Sequence, residues 1–383
     1  MNGSLSLYLH FPYCWSKCHY CAFNSVRYDK MQSHRFFSAL KTEIARYGGR
    51  SEVRGRPLTT LYMGGGTPSI FNADQILEVL EHGRRFFQFS EEIEVTMEAN
   101  PGTVDRGKLA ALKKGGINRL SIGVQSFQDD ELAWLGRAHN SRVAKEAYGR
   151  AREAGFENVN LDFMYAFPDQ RLEDWKRTLD EAIRLGPEHL SAYALTIEKG
   201  TRFGADYDRG LLVLPDEGRQ IRFDELTWAK LAGAGYLRYE VSNYARPGYA
   251  CRHNLGYWSQ QEYLGLGPGA HSYLGGRRFS KMEDIEAYIR DIEEGGEAIE
   301  ESELISPDLA FREALIFGLR KTEGIRLDEI RSRYPWSDSD RLQQTFEQWS
   351  LDELIILDPP RLRLSTKGLR LWDRIAEEIT AVF

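Results

Sequence analysis

Short apolar runs alternate with amphipathic stretches over the first two thirds of the chain. Runs of strand length occur at residues 5–10, 60–63, 93–99, 119–123, 159–165 and 190–195. Stretches with helical spacing lie between them at residues 35–47, 74–87, 109–114, 143–154 and 172–185. This alternation predicts an α/β fold in which six parallel strands are joined by helical crossovers. The periodicity alone leaves open whether the sheet is a doubly wound layer or a partial barrel.

The pattern changes after about residue 200. Residues 236–282 are rich in glycine and aromatic residues, whereas the chain from residue 307 onward is helical and ends with a predicted hairpin and a last helix. We therefore predict an α/β domain over residues 1–235, a linking segment over residues 236–305 and a C-terminal, mostly helical, winged-helix-like domain over residues 306–383. We interpret this last part as a packing domain, because residues 310–383 contain 12 Lys and Arg against 13 Asp and Glu and show no basic face.

Composition and charge restrict the class of protein. The chain has 383 residues, of which 28% are charged, and a formal net charge of −7, which argues against a nucleic-acid partner. No uncharged apolar run reaches the roughly 18–20 residues that span a bilayer, so we do not expect an integral membrane protein. The first ten residues lack the features of a secretory signal. The sequence therefore predicts a cytoplasmic globular protein.

Three of the four cysteines follow the first predicted strand with the spacing C-x3-C-x2-C, and they are Cys14, Cys18 and Cys21. Soft thiolates favour iron–sulfur or zinc sites. Three thiolates can hold three corners of a [4Fe–4S] cluster and leave the fourth iron open for a ligand. The alternative is a structural zinc site, which needs a fourth ligand such as Cys251, His10 or His19.

Further motifs occur in a fixed order along the chain, at residues 8–14 (YLHFPYC), 64–68 (GGGTP), 98–101 (EANP), 121–127 (SIGVQSF) and 136–139 (GRAH). The cysteine spacing resembles the radical S-adenosylmethionine superfamily, and the full set resembles its oxygen-independent coproporphyrinogen III oxidase family. The resemblance implies a partial TIM-like (β/α)6 radical SAM barrel. It also implies that S-adenosylmethionine chelates the open iron of the cluster.

The same resemblance implies a set of S-adenosylmethionine contacts, namely Tyr8, Tyr20, Gly65, Gly66, Thr67, Glu98, Gln125, Arg137 and Asp162. The glycines would let backbone amides approach the ligand, and Glu98 would accept hydrogen bonds from its ammonium or ribose group. Asp162 lies in an apolar run and is costly to bury without a partner, for which Arg137 is the candidate. Tyr8 and Tyr20 would pack over the cofactor.

Other features narrow the choice within the family. The oxidases resemble C-x3-C-x2-C-x-C, whereas Phe23 occupies the position of the additional cysteine here. A second motif, H-N-x-x-Y-W, consists of His253, Asn254, Tyr257 and Trp258. It resembles the heme-binding signature of the HemW-type heme chaperones. Imidazole is a common axial ligand of heme iron, and His271 is a second candidate for that role.

The resemblance therefore implies a cytoplasmic heme chaperone that carries a [4Fe–4S] cluster, S-adenosylmethionine and heme. It would pass heme to an acceptor such as a membrane-bound respiratory hemoprotein. The first alternative is an oxygen-independent coproporphyrinogen III dehydrogenase, against which Phe23 argues. A radical enzyme that modifies heme and a structural metal protein are the other two. Whether the chain turns over a radical reaction is left open. Cys251, just before the heme motif, is interpreted as a fortuitous thiol rather than an attachment point for heme.

Overall fold

The computed structural model describes residues 3–334 and 339–382. The strands in chain order are β1 (Leu5–Phe11), β2 (Tyr13–Cys14), β3 (Val26–Arg27), β4 (Pro57–Gly65), β5 (Gln88–Ala99), β6 (Arg119–Gln125), β7 (Val159–Tyr165), β8 (His189–Ala194), β9 (Leu237–Arg238), β10 (Asn243–Ala245), β11 (Tyr263–Leu266), β12 (His271–Leu274), β13 (Arg277–Lys281), β14 (Ile299–Leu304), β15 (Ile325–Arg326), β16 (Ile355–Asp358) and β17 (Arg361–Leu364).

The helices are α1 (Lys30–Gly48), α2 (Ala73–Phe86), α3 (Arg106–Lys114), α4 (Asp129–Trp134), α5 (Ser141–Glu153), α6 (Leu172–Leu185), α7 (Arg202–Asp208), α8 (Glu217–Gly233), α9 (Arg252–Trp258), α10 (Ile285–Glu293), α11 (Pro307–Arg320), α12 (Leu327–Arg333), α13 (Ser339–Leu351), α14 (Thr366–Arg370) and α15 (Trp372–Val382). Across residues 3–334 and 339–382, no helix is both long enough and apolar enough to cross a bilayer.

Six parallel strands form the centre of a 12-stranded sheet, in the order β1-β4-β5-β6-β7-β8. Neighbours in the sheet follow one another along the chain, and at least one helix precedes each next strand, which is the arrangement of a (β/α) barrel. The two outermost strands of the sheet, β14 and β9, do not pair with each other, so the barrel is incomplete. The predicted α/β fold with a partial six-stranded barrel is confirmed.

Local sequence explains where these elements begin and what they bury. Helix α1 starts at Lys30 because the Asp29 side chain accepts a hydrogen bond from the Gln32 amide at 2.7 Å. Strands β1, β6 and β7 are buried along nearly their whole length, as expected for parallel strands covered on both faces. The apolar runs in the sequence mark these strands for the same reason.

Residues 236–305, predicted as a linking segment, supply both edges of the sheet. Strands β10 and β9 continue the sheet beyond β8, and β11 pairs in parallel with β1 and continues through β12 and β13 to β14. These strands are two to six residues long, and the glycine-rich sequence around them hides their alternation. At one end of the sheet, β14 is exposed along most of its length and carries Glu300, Glu301 and Glu303.

The C-terminal part has a core of its own. Its helices and strands follow the order α11, β15, α12, α13, β16, β17, α14, α15, and β17 lies between the other two strands of a small sheet. Leu315, Leu319 and Trp349 are among the buried residues of this core. The guanidinium of Arg320 stacks 4.5 Å from the centre of the Trp258 ring and thereby joins this part to the sheet domain. The predicted mostly helical C-terminal domain with a terminal hairpin is confirmed.

Candidate functional site

The three clustered cysteines lie on one loop at the end of β1. Cys14 ends β2, and Cys18 and Cys21 follow within a turn that is closed by a hydrogen bond from the Cys21 amide to the Cys18 carbonyl at 3.3 Å. The His19 amide donates to the Leu135 carbonyl at 3.2 Å, which ties the loop to the residues after α4. All three thiols are free and half-buried. Burial raises the pKa of the Cys14 and Cys21 thiols.

A cavity of about 430 Å³ opens in front of this loop, and we call it the cysteine cavity. Its lining includes the three cysteines together with Tyr20, Gly65, Gly66, Thr67, Glu98, Gln125, Arg137 and Asp162. Eight of the nine residues predicted to contact S-adenosylmethionine therefore meet at one place. Six of them come from the ends of β4, β5 and β6 and from β7, as expected where parallel strands build a site at their carboxyl ends. The other two are Tyr20, on the cysteine loop, and Arg137, just after α4.

The glycine run brings the end of β4 onto the backbone of the cysteine loop. The Gly66 amide donates to the Phe11 carbonyl at 2.8 Å, and the Thr67 amide donates to the Tyr13 carbonyl at 2.8 Å. A Cβ atom on Gly66 would lie 2.6 Å from the Phe11 carbonyl oxygen, so this approach requires glycine. The Thr67 hydroxyl reaches the Cys14 sulfur at 3.2 Å. The glycines thus fix the cysteine loop against β4 rather than forming a simple turn.

Two half-buried carboxyl groups, those of Glu98 and Asp162, face the cysteine cavity. Glu98 accepts hydrogen bonds from the Tyr62 hydroxyl at 2.9 Å and from the Gly65 amide at 3.2 Å. Burial, and then the neighbouring Asp162 carboxylate, raises the pKa of Glu98 to about 7. Burial also raises the pKa of Asp162. A wall that carries two neighbouring carboxyl groups suits a cationic ligand.

Arg137 does not pair with Asp162, contrary to our expectation. Asp162 instead accepts hydrogen bonds from Ser121 at 3.0 Å and Asn160 at 2.7 Å. Arg137 donates to the Cys18 sulfur at 3.2 Å and to the Gly123 carbonyl at 2.6 Å. Its Nε is buried without a partner among the described residues. Arg137 therefore places a positive charge beside the Cys18 sulfur, and its Nε can donate to a ligand.

A second cavity, of about 500 Å³, lies on the other side of the cysteine loop, and we call it the aromatic cavity. Its lining includes Tyr8, His10, Tyr257, Trp258, Tyr263, His271, Tyr273, Arg278, Glu313 and Phe317. Tyr8, the ninth predicted S-adenosylmethionine contact, lies here and not in the cysteine cavity. Flat aromatic walls with a few polar groups are typical of a pocket for a large planar ligand.

The H-N-x-x-Y-W motif lies within α9, and two of its four defining residues line the aromatic cavity. Tyr257 and Trp258 line the aromatic cavity, whereas His253 and Asn254 do not. His253 is buried, and both ring nitrogens are engaged, Nδ1 with the Thr60 hydroxyl at 2.7 Å and Nε2 with the Tyr257 hydroxyl at 2.8 Å. Burial lowers the pKa of His253 to about 3, so its imidazole is neutral.

The two cavities adjoin at the cysteine loop. Ala22 and Phe23, directly after Cys21, line both of them. Tyr62, which the sequence analysis missed, lines the cysteine cavity. Its hydroxyl donates to Glu98 at 2.9 Å, and the centre of its ring lies 5.1 Å from that of the stacked His253 ring. The signal for Tyr62 was available, because alternation along β4 places it on the same face as Gly64.

Known proteins resemble this chain over most of its length. Residues 8–182 match the Radical SAM superfamily, and residues 305–371 match the HemN C-terminal domain. The chain is 35% identical over 331 residues to the heme chaperone HemW of Bacillus subtilis (strain 168), which covers 86% of each chain. It is 42% identical over 273 residues to heme chaperone HemW of Escherichia coli (strain K12), covering 70% of this chain and 69% of that one. This chain belongs to the HemW family.

The HemW-family chain also resembles a solved structure over almost its full length. The coproporphyrinogen III oxidase HemN from Escherichia coli superimposes with a TM-score of 0.85 at 24% sequence identity, covering 99% of this chain and 91% of that one. At that identity the likeness establishes the fold. The family and the radical SAM fold expected from the motifs are thus both confirmed.

Proposed function

We propose that this HemW-family protein is a heme chaperone that holds a [4Fe–4S] cluster with S-adenosylmethionine in the cysteine cavity and heme in the aromatic cavity. The observation that carries the proposal is that Ala22 and Phe23 form a common wall of the two cavities. A cluster site and a site for a planar aromatic ligand are therefore direct neighbours. The names of the relatives, heme chaperone HemW, agree with this function.

The donor set of the cysteine cavity suits an iron–sulfur cluster. Cys14, Cys18 and Cys21 all face it, and three thiolates leave one iron of a [4Fe–4S] cluster for another ligand. The guanidinium of Arg137 beside Cys18 offsets the negative charge that thiolate ligands bring. Because burial raises the pKa of Cys14 and Cys21, cluster assembly would release protons from these thiols.

The remaining walls of the cysteine cavity suit S-adenosylmethionine. Glu98 and Asp162 would accept hydrogen bonds from its ammonium and hydroxyl groups, and the free Nε of Arg137 would donate to its carboxylate. When bound, the cluster would supply an electron to S-adenosylmethionine at the open iron. The chain's own residues hold the ligand, exclude water and keep the two carboxyl groups beside its positive charge.

The aromatic cavity suits heme by size and chemistry. Its volume of about 500 Å³ lies within the range of roughly 300–1,000 Å³ that small-molecule sites span. Tyr257 and Trp258 offer flat apolar area, and the Trp258 indole nitrogen is buried without a partner among the described residues. We propose that Arg278, which pairs at 2.6 Å with Glu313 of the same lining, exchanges that partner for a heme propionate. We propose the cytoplasm as the location and a respiratory hemoprotein as the acceptor of the heme.

The cluster is tested on the full chain, purified and reconstituted without oxygen. We expect about four irons and four acid-labile sulfides per chain. Cys18→Ser should lose most of both, whereas Cys251→Ala serves as the matched control, because Cys251 is buried away from the cysteine cavity. Bound zinc without acid-labile sulfide would show that the cysteine cavity is a structural metal site instead.

Heme carriage is tested by titrating the reconstituted protein with heme and then adding an apo-hemoprotein. We expect one heme per chain and its transfer to the acceptor. Incubation with coproporphyrinogen III and S-adenosylmethionine tests the alternative, and Phe23 at the position of the additional cysteine argues against turnover. Formation of protoporphyrinogen would replace the chaperone proposal by that of a dehydrogenase.

A further inference from the structure

Three histidines lie at or beside the aromatic cavity, and they differ in what their rings can still bind. The ring of His10 is buried, with Nδ1 3.1 Å from the Tyr8 hydroxyl and Nε2 2.7 Å from the Asn24 carbonyl. The ring of His253 is buried with both nitrogens engaged. Neither imidazole can ligate a metal in this arrangement without first breaking a buried hydrogen bond.

His271 is the third, and its surroundings are different. It is exposed, it lines the aromatic cavity, and no ring hydrogen bond of His271 occurs within residues 3–334 and 339–382. An imidazole with an available nitrogen, next to flat aromatic walls, has the properties of an axial ligand of heme iron.

The backbone before His271 holds it in place. Gly267 has a φ of 98°, and a Cβ atom there would lie 2.5 Å from the His10 carbonyl oxygen, so the segment packs directly on β1. Gly269 has a φ of 74°, and a Cβ atom there would lie 2.6 Å from the Asn24 side-chain nitrogen. The start of β12 is thus fixed against both β1 and the cysteine loop. A rigid backbone at this point suits a metal ligand, because little motion is lost on binding.

His253 has a different position in the same region. Its Nε2 contacts the hydroxyl of Tyr257, one helical turn further along α9, and Tyr257 itself lines the aromatic cavity. The His253 ring also stacks on the Tyr62 ring, and the Tyr62 hydroxyl donates to Glu98 in the cysteine cavity. His253 therefore lies outside the aromatic cavity, where it contacts Tyr257 of the cavity lining and Tyr62 of β4.

From these contacts we infer that His271, and not His253, ligates the iron of heme bound in the aromatic cavity, whereas His253 is a positioning residue that holds Tyr257. This inference rests on the proposed heme-carrying function. It assigns the iron ligand to the glycine-rich segment before β12 instead of the H-N-x-x-Y-W motif.

The test is a heme titration of the reconstituted full chain followed by absorption and EPR spectra. The variants are His271→Ala, His271→Gly, His253→Gln and, as a matched control, His34→Ala, since His34 is exposed on α1 and lines neither cavity. Cluster content, measured on each variant, verifies that the protein has folded. We expect His271→Ala to weaken heme affinity at least tenfold and to lose the imidazole-ligated spectrum, and added imidazole to restore that spectrum in His271→Gly.

His253→Gln should keep the imidazole-ligated spectrum, even where its affinity falls, and His34→Ala should match the wild type. An unchanged spectrum in His271→Ala would overturn the assignment, as would loss of imidazole ligation in His253→Gln. Either result leaves heme binding by the wild type intact. Failure of the wild type to bind heme would instead refute the proposed function itself, so the two failures are distinguishable.

Discussion

A buried ion pair anchors the segment that carries His271, and removing one partner should strongly destabilise the protein. Lys281 Nζ lies 2.8 Å from Glu43 Oε1, and both side chains are fully inaccessible to solvent. Lys281 also donates to the Tyr47 hydroxyl at 2.8 Å. The second carboxylate oxygen of Glu43 accepts from the Tyr288 hydroxyl at 2.7 Å and the Gly267 amide at 2.9 Å. The pair therefore joins α1, α10 and β13 to the glycine-rich segment.

Lys281→Met leaves the Glu43 carboxylate buried without its counterion. Breaking a buried pair in this way costs about 3–5 kcal/mol, most of it the penalty for the charge left behind. The double variant Glu43→Gln with Lys281→Met removes both charges and keeps an oxygen acceptor for Gly267, so it should recover most of that loss. Lys176→Met is the control, because Lys176 and Glu173 form an exposed pair at 3.5 Å that should contribute less than about 1 kcal/mol.

Urea unfolding of the four proteins, followed by tryptophan fluorescence and circular dichroism, gives the free energies of unfolding. The two signals are compared because the chain has two cores and need not unfold in one step. A loss below about 1 kcal/mol in Lys281→Met, or a double variant no more stable than the single one, would refute the reasoning. Heme affinity should fall together with stability in the single variant, since Gly267 precedes His271 by one short turn.

Three further outcomes follow from the site. Burial lowers the pKa of His253 to about 3, so below about pH 6.5 the unfolded chain takes up a proton that the folded chain does not. The free energy of unfolding should therefore fall by about 2 kcal/mol from pH 7 to pH 5. Urea unfolding of His253→Gln should show a correspondingly smaller loss over the same range. In equilibrium dialysis, Glu98→Gln should weaken S-adenosylmethionine binding about tenfold or more. Only the wild type should bind the ligand more tightly at pH 8 than at pH 6, because its Glu98 carboxyl, with a pKa of about 7, loses its proton in that range. Equal affinities of the two proteins would contradict this role of Glu98. Gly66→Ala should reduce the iron content after reconstitution, whereas Gly149→Ala should not, because the space around a Cβ atom at Gly149 is open. Equal iron contents would show that β4 can shift to accommodate the methyl group without disturbing the cysteine loop.

The strand pattern and the cysteine site could be predicted from the sequence because each is local. Parallel strands buried on both faces read as apolar runs, and their carboxyl ends share one edge of the sheet. The family resemblance singled out Glu98, Gln125 and the residues at the end of β4, and the shared edge explains why they lie near the cysteines. The short strands β9 to β13 were not predicted, because two to five residues are too few to show the alternation of apolar and polar positions.

The placement of the histidines could not be predicted, because it depends on packing between distant parts of the chain. One of the two hydrogen bonds of the His253 ring joins it to the Thr60 hydroxyl, 193 residues earlier in the chain. The helical spacing puts His253 and Tyr257 on one face of α9, but it does not reveal that this face turns toward β4. In the same way Asp162 found its partners on β6 and β7, where neutral Ser121 and Asn160 replace the expected ion pair.

An incomplete barrel leaves two strand borders whose backbone groups could template the addition of another chain. One border is β9, which is only two residues long and offers little backbone for pairing. The other is β14, where Glu300, Glu301 and Glu303 would oppose the same glutamates of an approaching copy. Repulsion between these carboxylates should therefore prevent two copies from pairing through β14. The sheet can then keep this unpaired edge without promoting aggregation.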